Sequence, residues 1–559
     1  MSEYNSSPFF IVSYIRAHKV DFSFFSLFCA IIFIVINEVL PMAQKNPLVL
    51  TFDFGTQSLR VALTNKNGEI EGILKRKYDP PYFSNQSGFA EQNPDFYFDN
   101  LVEGLKELTK QHKEKLDRII GATIACFRDS SVQLDKDLKP VRPSILWLDQ
   151  RMAKAEEKIP TLYSILFKVV GMGDTIKLNR SRTAAHWIKE NEPDVWAKTD
   201  KYVNISTYLI YRITGQLADS SASLTGHYPI NFKSRKWYGP NALKGVIFGV
   251  PKSMLFPLKQ PGEEIAVISD ELADLVGLPK GIKLYASGSD KACETIGLGA
   301  LSKEIGAISY GTASTIEVSN KKYHEPEPFL PAYPAAVPNW YNMEVQVYRG
   351  YWMISWFLNN FAHDLLDKSV NMDTAVEELI NQDLDQIPPG SEGLVLQPYW
   401  GPGLRRPLAK GAVVGFSDVH TRAHFYRAIV EGIAYALREG LESIEKSQHH
   451  KIKELMISGG GSQNDTICQI TADIFGLPVS RVQTFETTTL GAAITVFVAA
   501  GEYKTVEEAI KEMSHKTTTF MPNKDAHEQY NFLYKKVYLK MYKKLNRVYR
   551  QLNKFTKRY

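Results

Sequence analysis

The chain has 559 residues, too many for one hydrophobic core, so two domains of roughly 200–250 residues are expected. A composition of 44% apolar and 23% charged residues excludes a mainly disordered polypeptide. The net charge of +5 is local: residues 530–559 hold ten Lys or Arg and no acid, so the rest is net acidic and suggests no nucleic-acid surface. Four dispersed cysteines (Cys29, Cys126, Cys293, Cys468) without a Cys-x-x-Cys spacing argue against a zinc cluster or a disulfide framework and fit a reducing compartment.

In chain order, residues 22–36 are almost wholly apolar but shorter than the ~20 residues that span a bilayer comfortably. Arg16, His18 and Lys19 precede them, so a membrane anchor is one reading. The other takes residues 1–45 as an upstream hydrophobic extension, with Met42 as the start of the working chain. Residues 48–64 read as strand, tight turn, strand, the turn being Asp53-Phe54-Gly55-Thr56-Gln57-Ser58. Asn67-Gly68 then turns the chain into a third strand, 69–75. Helical periodicity covers 94–111, and a strand over 119–125 leads to Arg128 and Asp129. This cation and carboxylate suit the hydroxyls of a polyol, unless they form only a surface ion pair.

Residues 284–294 place Asp290 between a strand and a helix. A carboxylate there can accept a hydroxyl proton and stay fixed at the helix N-terminus, or it can simply cap the helix. The chain changes domain near 297–303. Tyr310-Gly311-Thr312-Ala313-Ser314 then repeats the aromatic-Gly-Thr-x-Ser core of residues 54–58, which predicts a duplicated α/β fold with a cleft between the copies. Each Gly-Thr turn brings backbone N–H groups and hydroxyls within reach of phosphate, or is only a hairpin turn. A helix over 422–447 follows. After it, a strand at 454–457, the cluster Gly459-Gly460-Gly461 and a helix at 466–475 form a strand–glycine–helix unit where a nucleotide can bind or the chain can merely turn. Leu533, Val537, Met541, Leu545, Val548, Leu552 and Phe555 recur at three- and four-residue steps, predicting an amphipathic helix packed on the second domain.

These residues together resemble the FGGY family of carbohydrate kinases, within the actin-like ATPase superfamily, from about residue 47 to about 501. Asp53-Phe-Gly-Thr-Gln-Ser58 is similar to the family's first phosphate loop and Tyr310-Gly-Thr-Ala-Ser314 to its second. Gly288-Ser-Asp290-Lys291 resembles the segment with the catalytic aspartate. Gly459-Gly-Gly-Ser-Gln-Asn464, Gln469 to Asp473, Glu486 and Leu490-Gly-Ala-Ala493 resemble the long C-terminal signature. Pro143 to Arg151 resembles a substrate-domain segment. Xylulose kinases usually carry Met-His where this chain has Arg128-Asp129; glycerol kinases carry Arg-Glu.

The resemblance implies two RNase H-like (actin-like ATPase) domains with an interdomain active-site cleft: a sugar-binding domain at 46–298, a nucleotide-binding domain at 299–505 and a basic helical tail at 506–559. It implies ATP and Mg²⁺ as cofactors, Asp290 as general base and Asp53 near the metal. Arg128, Asp129, Asp290 and Lys291 would bind the sugar or polyol; Gly55, Thr56, Gln57, Ser58, Gly311, Thr312, Ser314, Gly460, Gly461 and Asn464 would bind the nucleotide. A cytoplasmic kinase is expected, with a homodimer allowed. Two further readings stand beside it: a non-enzymatic actin-like nucleotide-binding module, and a membrane-tethered sugar-binding regulator.

Overall fold

The structure, a computed structural model, describes residues 46–558 except 156–158, 160, 170–172, 240–241, 243–246, 328–329, 401–405 and 407. The apolar stretch 22–36 and the start at Met42 lie outside the described residues. Among those described, no helix is long and apolar enough to cross a membrane.

Two sheets organise residues 48–559, and they share one topology. The first contains β1 (Leu48–Phe54), β2 (Ser58–Asn65), β3 (Ile70–Lys77), β4 (Ile119–Cys126), β5 (Glu264–Val267) and β6 (Lys283–Tyr285), in the order β3-β2-β1-β4-β6-β5. The second contains β7 (Ile305–Tyr310), β8 (Ser314–Asn320), β9 (Tyr333–Pro334), β10 (Tyr341–Val347), β11 (Glu454–Gly459), β12 (Val479–Val482) and β13 (Lys516–Phe520), in the order β9-β10-β8-β7-β11-β12-β13. In each, three antiparallel strands meet two that run parallel to the first strand of the hairpin, and an antiparallel strand closes the far edge; the second sheet adds the short antiparallel β9 at its other edge. The short aromatic-Gly-Thr repeat marks the same hairpin in both sheets.

Alternation along β1 decides what each face meets. Leu48, Leu50, Phe52 and Phe54 join a core with Leu101, Leu105 and Leu108 of α1 (Pro94–Gln111). Val49, on the opposite face, packs in a second core with residues of α2 (Asp290–Gly297) and of α5 (Thr487–Ala499). Asp53 shares the Val49 face and is therefore directed to where the two halves meet. The second sheet packs its main core against α3 (Arg422–Gln448) and α4 (Asp465–Phe475).

The stretch 506–559 is not helical throughout, because β13 pairs with β12 and closes the second sheet. The helix after it packs the first part of its expected face: Leu533, Val537, Met541 and Leu545 lie against the main core of the second sheet. Between α6 (Lys524–Leu533) and α7 (Leu539–Arg558) lies one π-helical turn, Tyr534–Tyr538. The buried face runs through Tyr530, Tyr534, Tyr538, Met541 and Tyr549, whereas Val548, Leu552 and Phe555 are exposed. Tyr435 of α3 stacks on Tyr534, 5.8 Å between ring centroids. Tyrosine rings and aliphatic side chains thus share the buried side of this segment.

Candidate active site

A cleft of about 1670 Å³ lies between the two sheets, and its wall follows the carboxyl ends of parallel strands β1, β4, β6, β7 and β11. The turn after β1 is tight: Gly55 N–H donates to Ser58 O at 2.9 Å, and Gly55, Thr56, Gln57 and Ser58 line the cleft. Trp147 Nε1–H donates to Thr56 Oγ1 at 3.0 Å, which fixes that hydroxyl. After β7, the carbonyls of Gly311 and Thr312 accept from the N–H groups of Tyr351 (3.0 Å) and Trp352 (3.3 Å). Across each trans peptide plane the next amide faces the opposite way, so the N–H groups of Thr312 and Ala313 turn from those partners.

Gly460 and Gly461 also line the cleft. A Cβ on Gly461 would stand 2.3 Å from the Tyr351 ring, so only glycine lets that loop approach. Two residues named from sequence do not reach the wall. Ser314 is fully buried beneath Gly350. Asn464 caps α4, its side chain accepting from Ile467 N–H at 2.9 Å.

Asp290 does not cap α2. Ser289 does, accepting from Ala292 N–H at 3.3 Å, while Asp290 occupies the first helical position and accepts from Lys291 N–H at 2.8 Å. Its carboxylate lines the cleft, and burial raises its pKa against the opposing pull of Lys291 and Arg128. Arg128 and Asp129 do not pair with each other. Arg128 forms a two-pronged ion pair with Glu344 on β10, at 2.7 and 2.9 Å, joining the first half to the second. Asp129, at φ 56°, accepts from the His227 N–H at 3.1 Å and meets His227 Nδ1 at 2.8 Å. Lys291 binds Glu294 at 2.7 Å and contacts Ser309; Glu294 also accepts from Ser458 at 2.5 Å. Thus Lys291 fastens α2 to β7, and Glu294 fastens it to β11.

Asp53 is buried, and its pKa is pushed up to about 7, chiefly by burial, with Asp290, Glu486 and Glu294 adding to the rise and Arg60 opposing it. Arg60 stands 3.9 Å from Asp53 but 2.6 Å from Glu486, which also pairs with Lys75 at 2.5 Å. Arg60 and Glu486 both line the cleft; Arg60 was missed, and Glu486 was recognised in the C-terminal signature but given no site role. Arg60 was findable, because the hairpin register sets it directly opposite Asp53. Glu344 and His227 carried no such local signal. The floor therefore holds a surplus of carboxylates, which suits a divalent cation bound with phosphate. Among the described residues no three or more His, Cys, Asp or Glu converge as a metal site.

Models of the N-terminal and C-terminal domains of the FGGY family of carbohydrate kinases match residues 48–297 and 306–500. The chain is 28% identical over 520 residues to a xylulose kinase of Lactococcus lactis, covering 91% of this chain and 99% of that protein. It is 28% identical over 511 residues to a glycerol kinase of Nitratidesulfovibrio vulgaris, covering 87% and 96%. Its fold is that of a xylulose kinase from Lactobacillus acidophilus solved with bound ligand, with a TM-score of 0.76 at 22% identity over 90% of this chain and 100% of the other.

Proposed function

The chain belongs to the FGGY family of carbohydrate kinases, and from that premise we propose that it transfers the γ-phosphoryl group of ATP to a hydroxyl of a small free sugar, a ketose such as a pentulose, or of a polyol. The observation that carries this reading is Asp290, a half-buried carboxylate that lines the cleft and leaves the capping of its helix to Ser289. Asp290 takes the proton of the acceptor hydroxyl while its oxygen bonds to the γ-phosphorus and the bond to the β-phosphate oxygen breaks. A raised pKa makes the carboxylate a stronger base than a solvated one. Arg128, held by Glu344, and Asp129, held by His227, orient the remaining hydroxyls.

The turns at 55–58 and 311–313 hold the phosphates with backbone amides and hydroxyls, and Gly460 and Gly461 leave room for the nucleoside. Mg²⁺, when bound near Asp53, neutralises phosphate charge. We take 46–298 and 299–505 as two domains that close on the substrates and exclude water, which competes as an acceptor. ATP use and, among the described residues, the buried free thiols of Cys126, Cys293 and Cys468 support a cytoplasmic location.

A coupled ADP-release screen across tetroses, pentuloses, hexuloses, glycerol and pentitols identifies the acceptor. Asp290→Asn keeps size and fold but cannot accept the proton, so turnover should fall by roughly 10²–10⁴-fold or more with ATP binding retained. Near-normal turnover in this variant would remove Asp290 from the chemistry. ATP binding with no sugar or polyol phosphorylated would favour a non-enzymatic module.

A further inference from the structure

Arg349 stands two residues beyond the end of β10, where Val347 pairs with Ser314 of the second phosphate loop. The backbone beside it is fastened to that loop. Gly350 lies so close that an added Cβ would be 2.4 Å from Ser314 N, and Tyr351 and Trp352 donate to the carbonyls of Gly311 and Thr312. The guanidinium carbon sits 4.8 Å from the centre of the Trp352 ring, and the residue lines the cleft.

The other cleft cations so far described each have a carboxylate: Arg60 has Glu486, Arg128 has Glu344 and Lys291 has Glu294. Among the described residues Arg349 has none. Burial lowers its pKa, and Tyr82 is the group that works against this. Arg235 is lowered in the same way, but it donates to Asn339 and to the Trp340 carbonyl and lies outside the cleft wall. A partly buried guanidinium without a counter-charge is unfavourable until an anion reaches it.

Resting on the reading of this cleft as a nucleotide site, we propose that Arg349 is a further phosphate-binding residue, which grips the phosphate tail of the nucleotide from the second half of the molecule. The Trp352 ring holds the guanidinium plane so that two N–H groups meet two non-bridging oxygens, a geometry that lysine cannot reproduce. The same chemistry would take the carboxylate of an acidic sugar; the placement beside the phosphate loop favours phosphate.

Calorimetric titration of the full chain with Mg-ATP, inorganic tripolyphosphate, adenosine and gluconate tests this. Arg349→Gln should weaken ATP and tripolyphosphate by roughly 10–100-fold and leave adenosine unchanged. Arg349→Lys, which keeps the charge and guards against a folding artefact, should fall between. Unchanged affinity for ATP and tripolyphosphate in Arg349→Gln would overturn the assignment, as would a loss confined to gluconate. If the unmodified chain binds tripolyphosphate through Arg349 but not ATP, the nucleotide reading fails while the anion site stands; if it binds neither, both fail.

Discussion

Asp53 and Arg60 are cross-strand partners, yet the arginine makes its closer contact with Glu486 and leaves Asp53 poorly compensated. The consequence has a definite sign. The folded pKa of about 7 lies above the unfolded value of 3.8, so the unfolded chain ionises first. As pH rises between these values, Asp53 removes stability progressively, and above about 7 the full cost is present. Asp53→Asn should therefore be more stable than the parent by a margin that grows across this window to at most roughly 4 kcal/mol, while losing phosphoryl transfer. Denaturant unfolding of both proteins near the two ends of the window measures it; a margin independent of pH would contradict the account. Sequence reasoning found Asp53 through its turn motif. It missed the weak compensation, which depends on Glu486 arriving from the other half.

At the scale of elements, two carboxylates of the cleft wall are set by one helix crossing. The helices α2 and α5 touch backbone to backbone: a Cβ on Gly491 would lie 1.8 Å from Cys293 O, and one on Gly297 would lie 1.9 Å from Thr487 O. The N-terminal ends of these helices carry Asp290 and Glu486. Gly491→Ala must push the helices apart, since carbonyl oxygens cannot rotate away as a flexible side chain could. It should cost roughly 3 kcal/mol or more, and kcat should fall by about 10²-fold with the displacement of Asp290. Thermal unfolding and steady-state rates check both, and a stable, fully active variant would show that the crossing is not limiting. The longer helices α1 and α3 were legible, because the expected spans 94–111 and 422–447 reflect sustained 3.6-residue periodicity. The face of the C-terminal helix was legible in part: Leu533, Val537, Met541 and Leu545 pack on the core as their spacing predicts, whereas Val548, Leu552 and Phe555 are exposed and the buried tyrosines beside them were not foreseen.

Across the whole molecule, the Arg128–Glu344 pair bridges the two sheets over a sequence separation of 216 residues. Glu317 faces Glu344 directly across β8 and β10, and burial together with that neighbour raises its pKa. Removing Arg128 thus leaves two opposed buried carboxyls. Arg128→Ala and Glu344→Ala should each destabilise by roughly 3–5 kcal/mol, and the double variant by much less than their sum. A double-variant cycle by denaturant unfolding gives the coupling; additive losses would mean that the bridge does not hold the halves together.

What the sequence determined by itself was local or repetitive: strand and helix periods, the turns at Asp53 and Gly311, and the duplication spaced by a domain length. Those follow from neighbours along the chain, where φ/ψ preference and alternation act directly. Only the tertiary structure decided the partners of buried charge and which polar residues reach the cleft. Ser314 and Asn464 sit within recognisable motifs but turn inward or cap a helix, and Glu344 and Glu486 meet their cations from the opposite half. Periodicity specifies that a face is buried, but what it is buried against depends on packing between segments hundreds of residues apart.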